Sequence, residues 1–281
     1  MKIIQENEIV QTVRDLLIEA NIRLTSDVVQ TIANCKKNES SPVAQSVLSE
    51  IEDNLHCAKE NQMPICQDTG MAVVFIRLGM DIHIESSKSL LDIVNLGVAS
   101  AYTEGYLRMS VVADPFHRVN TGNNTPAVLY TELIPGNTME ITVTPKGFGS
   151  ENMSRICMFN PIATKEDIRD FVLETIATAG SKPCPPLVVG IGIGGTFDYA
   201  AYLAKKALSR PLDVPHPHPF YAEFEQALLK EINTLQIGPQ GFGGDTTALG
   251  VAIETYPTHI AGLPVAVNIN CHVARHKTAV L

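Results

Sequence analysis

"PLVVGIGIGGTFDYAAYLAKKALSRPLDVPHPHP", residues 186–219, holds the reading that decides the fold. An unbroken apolar run carries Gly190–x–Gly192–x–x–Gly195, and a helical pattern opens directly after it. Strand, glycine turn and helix in that order are the layout of a dinucleotide-binding fingerprint. The fingerprint also needs a second parallel strand ending in Asp or Glu about 20 residues on. Asp213 stands at that distance, but Pro211, Pro215 and Pro217 crowd it, and proline cannot donate to a central ladder. The nicotinamide-oxidoreductase reading is set aside on that ground. The glycines are expected instead to let backbone come close to another element or ligand.

Around this stretch, helical and strand patterns alternate. A helix is expected in "TKEDIRDFVLETIATAG" (164–180) and another in "YAEFEQALLKEINTL" (221–235). The Gly-rich "GPQGFGGDTT" (238–247) leads into two strands, "ALGVAIETY" (248–256) and "LPVAVNIN" (263–270). Upstream, the first 60 residues read as three amphipathic helices, with Ile9, Val13, Leu17 and Ala20 on one side of the first. A strand "MAVVFIRLG" (71–79), a long helix over 89–107 and a polar loop containing "NTGNNTP" follow. "AVLYTELI" (127–134) and "TMEITVTP" (138–145), joined by Pro135, Gly136 and Asn137, read as a β-hairpin. The fold class is α/β (α+β), a mixed sheet flanked by helices. The expected organisation is one domain over 1–281, helical over residues 1–60 and α/β over residues 61–281.

The chain has 281 residues, 45% hydrophobic and 18% charged, with formal net charge −9. That acidic balance argues against a nucleic-acid or anionic-membrane surface, since both need clustered Lys and Arg. It leaves room for small acids held in a local basic pocket. No apolar run approaches the ~20 residues of a membrane span, and the start, "MKIIQENEIVQTV", lacks the apolar core of a secretory signal. A cytoplasmic location with reduced thiols is expected.

Six cysteines then need a reason: Cys35, Cys57, Cys66, Cys157, Cys184 and Cys271. None forms a CxxC pair, which argues against a zinc ribbon or thioredoxin-type site. Cys35 and Cys57 sit in helical patterns and read as ordinary core thiols. Cys66 in "ICQDTG", Cys184 in "KPCPP" and Cys271 in "NCHVARHK" each stand at a strand edge, where α/β sheets gather site residues. Their spacing alone leaves two readings open: inert thiols, or three thiolates converging on one inorganic cluster.

Three thiolates would leave one iron of a 4Fe–4S cluster without a protein ligand, available as a Lewis acid for substrate oxygen. The neighbours suit that chemistry. Gln67 can donate to a carboxylate, and Asp68 can move a proton or orient water. Candidate cations for substrate carboxylates are Arg108 and the run Arg275, His276 and Lys277. "KGFGSEN" (146–152) can offer a nest of backbone N–H groups, or simply end a strand with a glycine turn.

Taken together, "ICQDTG", "KGFGSENMS", "KPCPPLVVGIGIGGTFDYAAYLAKKAL", "GPQGFGGDTTALGVAIE" and "PTHIAGLPVAVNINCHVARH" resemble the alpha subunit, or N-terminal domain, of class I iron–sulfur fumarases and L-tartrate dehydratases. The resemblance covers most of residues 61–277. It implies a hydro-lyase with a 4Fe–4S cluster on Cys66, Cys184 and Cys271. It also implies substrate contacts from Gln67, Arg108 and Gly149, an acid–base role for Asp68, and a place in the catalytic site for His259. Phe148 stands where the family commonly has a third glycine. Cys157 matches no ligand position. "GGTFDYAA" and "PTHIAGLPVAVNINCH" follow the fumarase type, so reversible hydration of fumarate to (S)-malate is the expected reaction, with L-tartrate dehydration as the alternative. The chain stops soon after the last motif, so a separate beta subunit and an oligomer are expected. The partners are then that subunit and a small dicarboxylate.

Overall fold

The computed structural model describes residues 2–281. In chain order the elements are β1 (Lys2–Gln5), α1 (Glu6–Ile22), α2 (Ser26–Asn38), α3 (Pro42–Asn61), β2 (Met71–Gly79), β3 (Ile82–Glu85), α4 (Leu90–Glu104), β4 (Val128–Ile134) and β5 (Met139–Lys146). Then follow α5 (Phe148–Glu151), β6 (Arg155–Phe159), α6 (Lys165–Ala179), β7 (Leu187–Gly194), α7 (Phe197–Ala207), α8 (Pro219–Asn233), β8 (Ala248–Tyr256), β9 (Leu263–Asn270) and β10 (Lys277–Val280). They form two compact units. Residues 2–24, 55–148 and 275–281 make the first, and residues 25–54 and 149–274 make the second. Both units therefore combine early and late segments of the chain.

The first unit is built on the sheet β10–β5–β2–β4, with the short parallel pair β1–β3 beside it in sequence. Alternation sends Ala72, Val74 and Ile76 of β2 to one face, where Ile9, Val13 and Leu17 of α1 and Ile93, Val94 and Val98 of α4 complete the core. The other face carries Phe75 stacked on Tyr130 at 5.2 Å between centroids.

The expected hairpin of residues 127–145 is not formed. β2 lies between β4 and β5, parallel to the first and antiparallel to the second. The connection passes round the end of β2 instead. Ile134 O and Gly136 O accept the N–H groups of Met80 and Asp81, and Thr138 O accepts that of Gly79, each at 2.9 Å. A local pattern identifies two strands and a turn but not what pairs with them. Here the nine-residue apolar β2 satisfies both edges.

The second unit is the sheet β6–β9–β7–β8, in which β7 and β8 are parallel and β9 runs antiparallel to β7 and β6. Every residue of β7 is buried, which accounts for its unbroken apolar run. Ile168, Val172 and Ile176 of α6 and Phe224, Leu228 and Ile232 of α8 pack in its main core, while Ala200 and Ala204 of α7 meet Ala266. A Cβ on Gly190 would meet Ala204 O at 2.2 Å, and one on Gly192 would meet Ala200 O at 2.1 Å. Those glycines bring α7 down onto β7, so the motif is a packing device. Among the described residues no helix is long and apolar enough to cross a membrane.

Candidate active site

In the first unit the site motif is the turn between α3 and β2. Ile65 is buried and its N–H reaches Asn21 O at 2.9 Å, which anchors the entry to Cys66. Cys66 and Asp68 are half-buried and Gln67 is exposed. The exit is held from three sides. Tyr102, buried on α4, donates its hydroxyl between Gly70 O (2.7 Å) and Thr69 O (3.0 Å). Asn124 Nδ2 donates to Gly70 O at 3.2 Å, while its Oδ1 accepts the N–H groups of Ser110 and Val111. Thr69 Oγ1 accepts Arg108 N–H at 2.9 Å and donates to Arg108 O at 3.2 Å. Arg108 is thus brought to this turn with its side chain exposed. It does not cap α4, which ends at Glu104 with Gly105 as its C-cap.

Both carboxylate oxygens of Asp68 accept backbone hydrogen bonds: Oδ1 from Gly70 N–H at 3.0 Å, and Oδ2 from Phe148 N–H at 3.0 Å. One donor of the expected nest at 146–152 is therefore already engaged by this chain's own carboxylate. Each oxygen keeps one further lone pair for another donor. A Cβ on Gly147 would stand 3.1 Å from Asp68 Oδ2 and 3.5 Å from Arg275 Nη2, so the missing side chain leaves space between an acid and a base. Arg275 is buried and donates from Nη1 to Asn21 Oδ1 at 2.8 Å. Lys277 approaches Glu19 at 3.7 Å. These two cations of the last motif are engaged within the first unit. Burial is the main cause that drives the Tyr102 phenol well above its ordinary pKa; Arg275 opposes the shift and Asp68 adds to it.

In the second unit Cys184 precedes β7 and Cys271 follows β9. The antiparallel register sets Val188 opposite Asn270, so the two cysteines come to the same end of the sheet. His272 N–H donates to Cys184 O at 3.3 Å, and His272 Nδ1 lies 3.0 Å from the same oxygen. Cys184 is exposed, Cys271 is half-buried, and no cysteine of the chain is in a disulfide. Cys184 also holds φ +54°, a left-handed conformation that non-glycine residues adopt at a cost of about 1–3 kcal/mol and that clusters at functional sites. The Gly-rich loop over 238–247 closes on this end. Gln240 donates to Pro185 O from its backbone at 2.7 Å and from Nε2 at 2.9 Å.

That loop is held in turn by Glu39, a buried carboxylate. Its Oε1 accepts Asp245 N–H at 2.8 Å and Ser41 N–H at 3.2 Å. Its Oε2 accepts Thr246 N–H at 3.0 Å and Thr246 Oγ1–H at 2.8 Å. Gly149, on the short α5, has only Lys182 O at 3.9 Å beside the position of a Cβ.

His259 is placed elsewhere. It lies exposed in the turn before β9, where its Nδ1 accepts Ala261 N–H at 3.1 Å. The eight residues of β9 separate it from Cys271, roughly 26 Å at about 3.3 Å per residue. Of the remaining thiols, Cys35 lies beside Thr246 of the 238–247 loop, whose hydrogen bond opposes the effect of burial on it. Cys35 is on α2, where burial pushes its pKa up, Cys57 is exposed on α3, and Cys157 packs against the core of the second unit. Among the described residues no three His, Cys, Asp or Glu are gathered round a point suited to a single metal ion. Thiols are soft donors, so the pair at this sheet end could serve a soft metal.

Glu39, Asn124, Gln240 and His272 were not singled out from sequence. The adjacency of Cys271 and His272, and a lone Gln among glycines, were the available signals for two of them.

The chain matches a protein-family model described as fumarate hydratase (Fumerase) over residues 10–280. It is 43% identical over 273 residues to "Putative L(+)-tartrate dehydratase subunit alpha" of Methanocaldococcus jannaschii, covering 95% of each chain. It is 33% identical over 277 residues to L(+)-tartrate dehydratase subunit alpha of Escherichia coli strain K12, covering 97% of this chain and 90% of that one.

Proposed function

The chain belongs to the fumarate hydratase (Fumerase) family of hydro-lyases, and from that premise we propose that it is the alpha subunit of an L(+)-tartrate dehydratase. The reaction removes water from a four-carbon dihydroxy dicarboxylate to leave oxaloacetate. The observation that carries this reading is the near full-length match to two alpha subunits that bear that name. It takes precedence over the sequence-based preference for fumarate. Hydration of fumarate to malate remains the second reading, favoured by the family's own description and by the residue pattern at 194–201 and 257–272.

In this proposal Cys66, Cys184 and Cys271 hold a 4Fe–4S cluster. The donor chemistry of Cys184 and Cys271 supports it: two thiols at one sheet end, one of them exposed on a strained backbone. When bound, the cluster supplies a Lewis-acidic iron with a position open to substrate oxygen. Asp68, its carboxylate oriented by Gly70 and Phe148, takes or delivers a proton through a remaining lone pair. Arg108, exposed beside the same turn, pairs with a substrate carboxylate, and Gln67 donates an amide N–H to it. Gly149 allows close approach of a ligand to its backbone. His259 stands apart at the far end of β9, and no step is assigned to it. A companion beta subunit completes the pocket, in keeping with the alpha-subunit names of the relatives.

The test is anaerobic reconstitution with the companion subunit, followed by assay of both L(+)-tartrate and fumarate. Tartrate turnover should exceed fumarate turnover. The reverse order selects the second reading, and no turnover of either acid removes both. Iron should fall in each of Cys66→Ser, Cys184→Ser and Cys271→Ser. Unchanged iron in any one strikes that residue from the ligand set.

A further inference from the structure

We propose that His272, with Gln240 behind it, is a positioning residue that fixes the separation of the Cys184 and Cys271 thiols. The ladder between β7 and β9 sets register only as far as Val188 and Asn270. Cys184 lies four residues outside it, beyond Pro185 and Pro186, so the position of its backbone is not set by the β7–β9 pairing. Besides the bond from Cys184 N–H to Ser181 O at 3.0 Å, two pairs of hydrogen bonds hold it. Cys184 O receives His272 N–H at 3.3 Å and His272 Nδ1 at 3.0 Å. Pro185 O receives Gln240 N–H at 2.7 Å and Gln240 Nε2 at 2.9 Å. A carbonyl has two lone pairs, so both oxygens are saturated and the 184–185 segment can neither twist nor lift without losing a bond.

With the proton on Nδ1 the ring donates to Cys184 O, and that bond sets the orientation of the ring. In the other tautomer Nδ1 accepts from Gln240 Nε2 at 3.1 Å, and the ring stays tied to the 184–185 segment through Gln240 and through its own backbone N–H. Both Cys184 and Gln240 hold positive φ, at +54° and +53°. The four bonds hold these two unfavourable backbones in place. His272 directly follows Cys271, so the same ring connects the two thiol-bearing segments.

This inference rests on reading Cys184 and Cys271 as ligands, but its test is made on the cluster-free full chain. Under anaerobic, reducing conditions the chain is treated with dibromobimane, which bridges two neighbouring thiols, and the Cys184–Cys271 product is followed by peptide mapping. His272→Ala should slow bridging by about tenfold, the effect of losing a hydrogen bond, while leaving single-thiol alkylation unchanged. His272→Asn puts a donor near the place of Nδ1 and should restore bridging. His272→Gln puts it near Nε2 and should not. Bridging in His272→Ala at the parent rate, or equal rescue by Asn and Gln, overturns the proposal. If His272→Ala does not fold, Gln240→Ala is read the same way, with slower bridging expected and an unchanged rate overturning it. In the reconstituted complex His272→Ala should also lose iron to a chelator faster than the parent. If bridging depends on His272 while Cys184→Ser and Cys271→Ser keep their iron, the ligand reading fails and the positioning role stands.

Discussion

Phe148 N–H donates to Asp68 Oδ2 at 3.0 Å, joining positions 80 apart in the chain. Gly70 N–H occupies the other oxygen at 3.0 Å. As a turn residue alone, Asp68 would be interchangeable with Asn, because both bond a backbone N–H two residues on. The second bond removes that equivalence. Asn has one oxygen, and its NH2 would face a backbone donor at Gly70 or at Phe148.

Asp68→Asn should therefore lower stability by about 0.5–1.5 kcal/mol, the net worth of one hydrogen bond at a part-exposed site. Denaturant unfolding of the chain measures this. In the reconstituted complex the same variant should keep its iron and lose on the order of 10²-fold in kcat, as expected when a positioned acid or base is removed. Lower stability with unchanged kcat would reduce Asp68 to an anchor for the 146–149 loop.

Gly192→Ala separates packing from ligand binding in the strand–helix motif. The added methyl would lie 2.1 Å from Ala200 O and 2.7 Å from Ala204 N, both backbone atoms of α7. α7 would have to move off β7, at a cost of about 3 kcal/mol or more. Chemical denaturation should show that loss. A stable variant that had instead lost affinity for a dinucleotide would restore the reading set aside on proline grounds.

Glu39→Gln should loosen the loop that carries Gln240. All four groups facing the carboxylate are donors, so a Gln NH2 meets at least one of them head-on. A loss of about 2–4 kcal/mol is expected, in the range for charge-assisted bonds with a donor left unmet. Proteolysis within 238–247 should become faster. Parent-like resistance there would show that other contacts hold the loop.

Periodicity made the longer elements legible. α1, α4, α6, α8, β2, β7, β8 and β9 all lie where apolar spacing put them. β1, β3, β6 and β10, of four or five residues each, were missed because so few positions give alternation too little length to register. The placement of β2 between β4 and β5 was invisible for another reason: pairing is a non-local choice. The site divided in the same way. Cys184 and Cys271 could be placed at strand ends from sequence, and the register brings those ends together. Glu39 acts on Thr246, 207 positions away, and Asn124 on Gly70, 54 positions away. No local pattern marks such residues, and Asn124 lay in what reads as an ordinary polar loop.

Tyr102→Phe tests the support beneath the Cys66 turn and carries a pH signature. The phenol is buried, and its pKa is raised, chiefly by desolvation. Below the unfolded tyrosine value of about 10, both states keep the proton and stability does not depend on this group. Above it the unfolded chain releases a proton that the folded chain retains, so stability falls as pH rises. The Phe variant lacks this component. It should be about 1 kcal/mol less stable at neutral pH, through loss of the bonds to Thr69 and Gly70, and the gap should narrow above pH ~10. Urea unfolding from pH 8 to 10.5 measures it. A constant gap would mean that the phenol ionises as readily folded as unfolded.

His259→Ala separates the two ends of the second sheet. The cysteine end depends on the β7–β9 register, on Gln240 and on His272, none of which touches the 258–262 turn. At the other end, Thr258 Oγ1 bonds Gly195 O at 3.0 Å and Gly262 N–H bonds His259 O at 3.0 Å. Of these, only the bond from Ala261 N–H to His259 Nδ1 uses the imidazole, and it is exposed, so truncation should cost less than about 1 kcal/mol. Iron content, visible spectrum and the bridging rate of Cys184 with Cys271 should all match the parent. Loss of iron would contradict the separation along β9 and require His259 to reach the cysteines. A fall in kcat with iron intact would instead show that the imidazole acts on turnover without supporting the thiol pair.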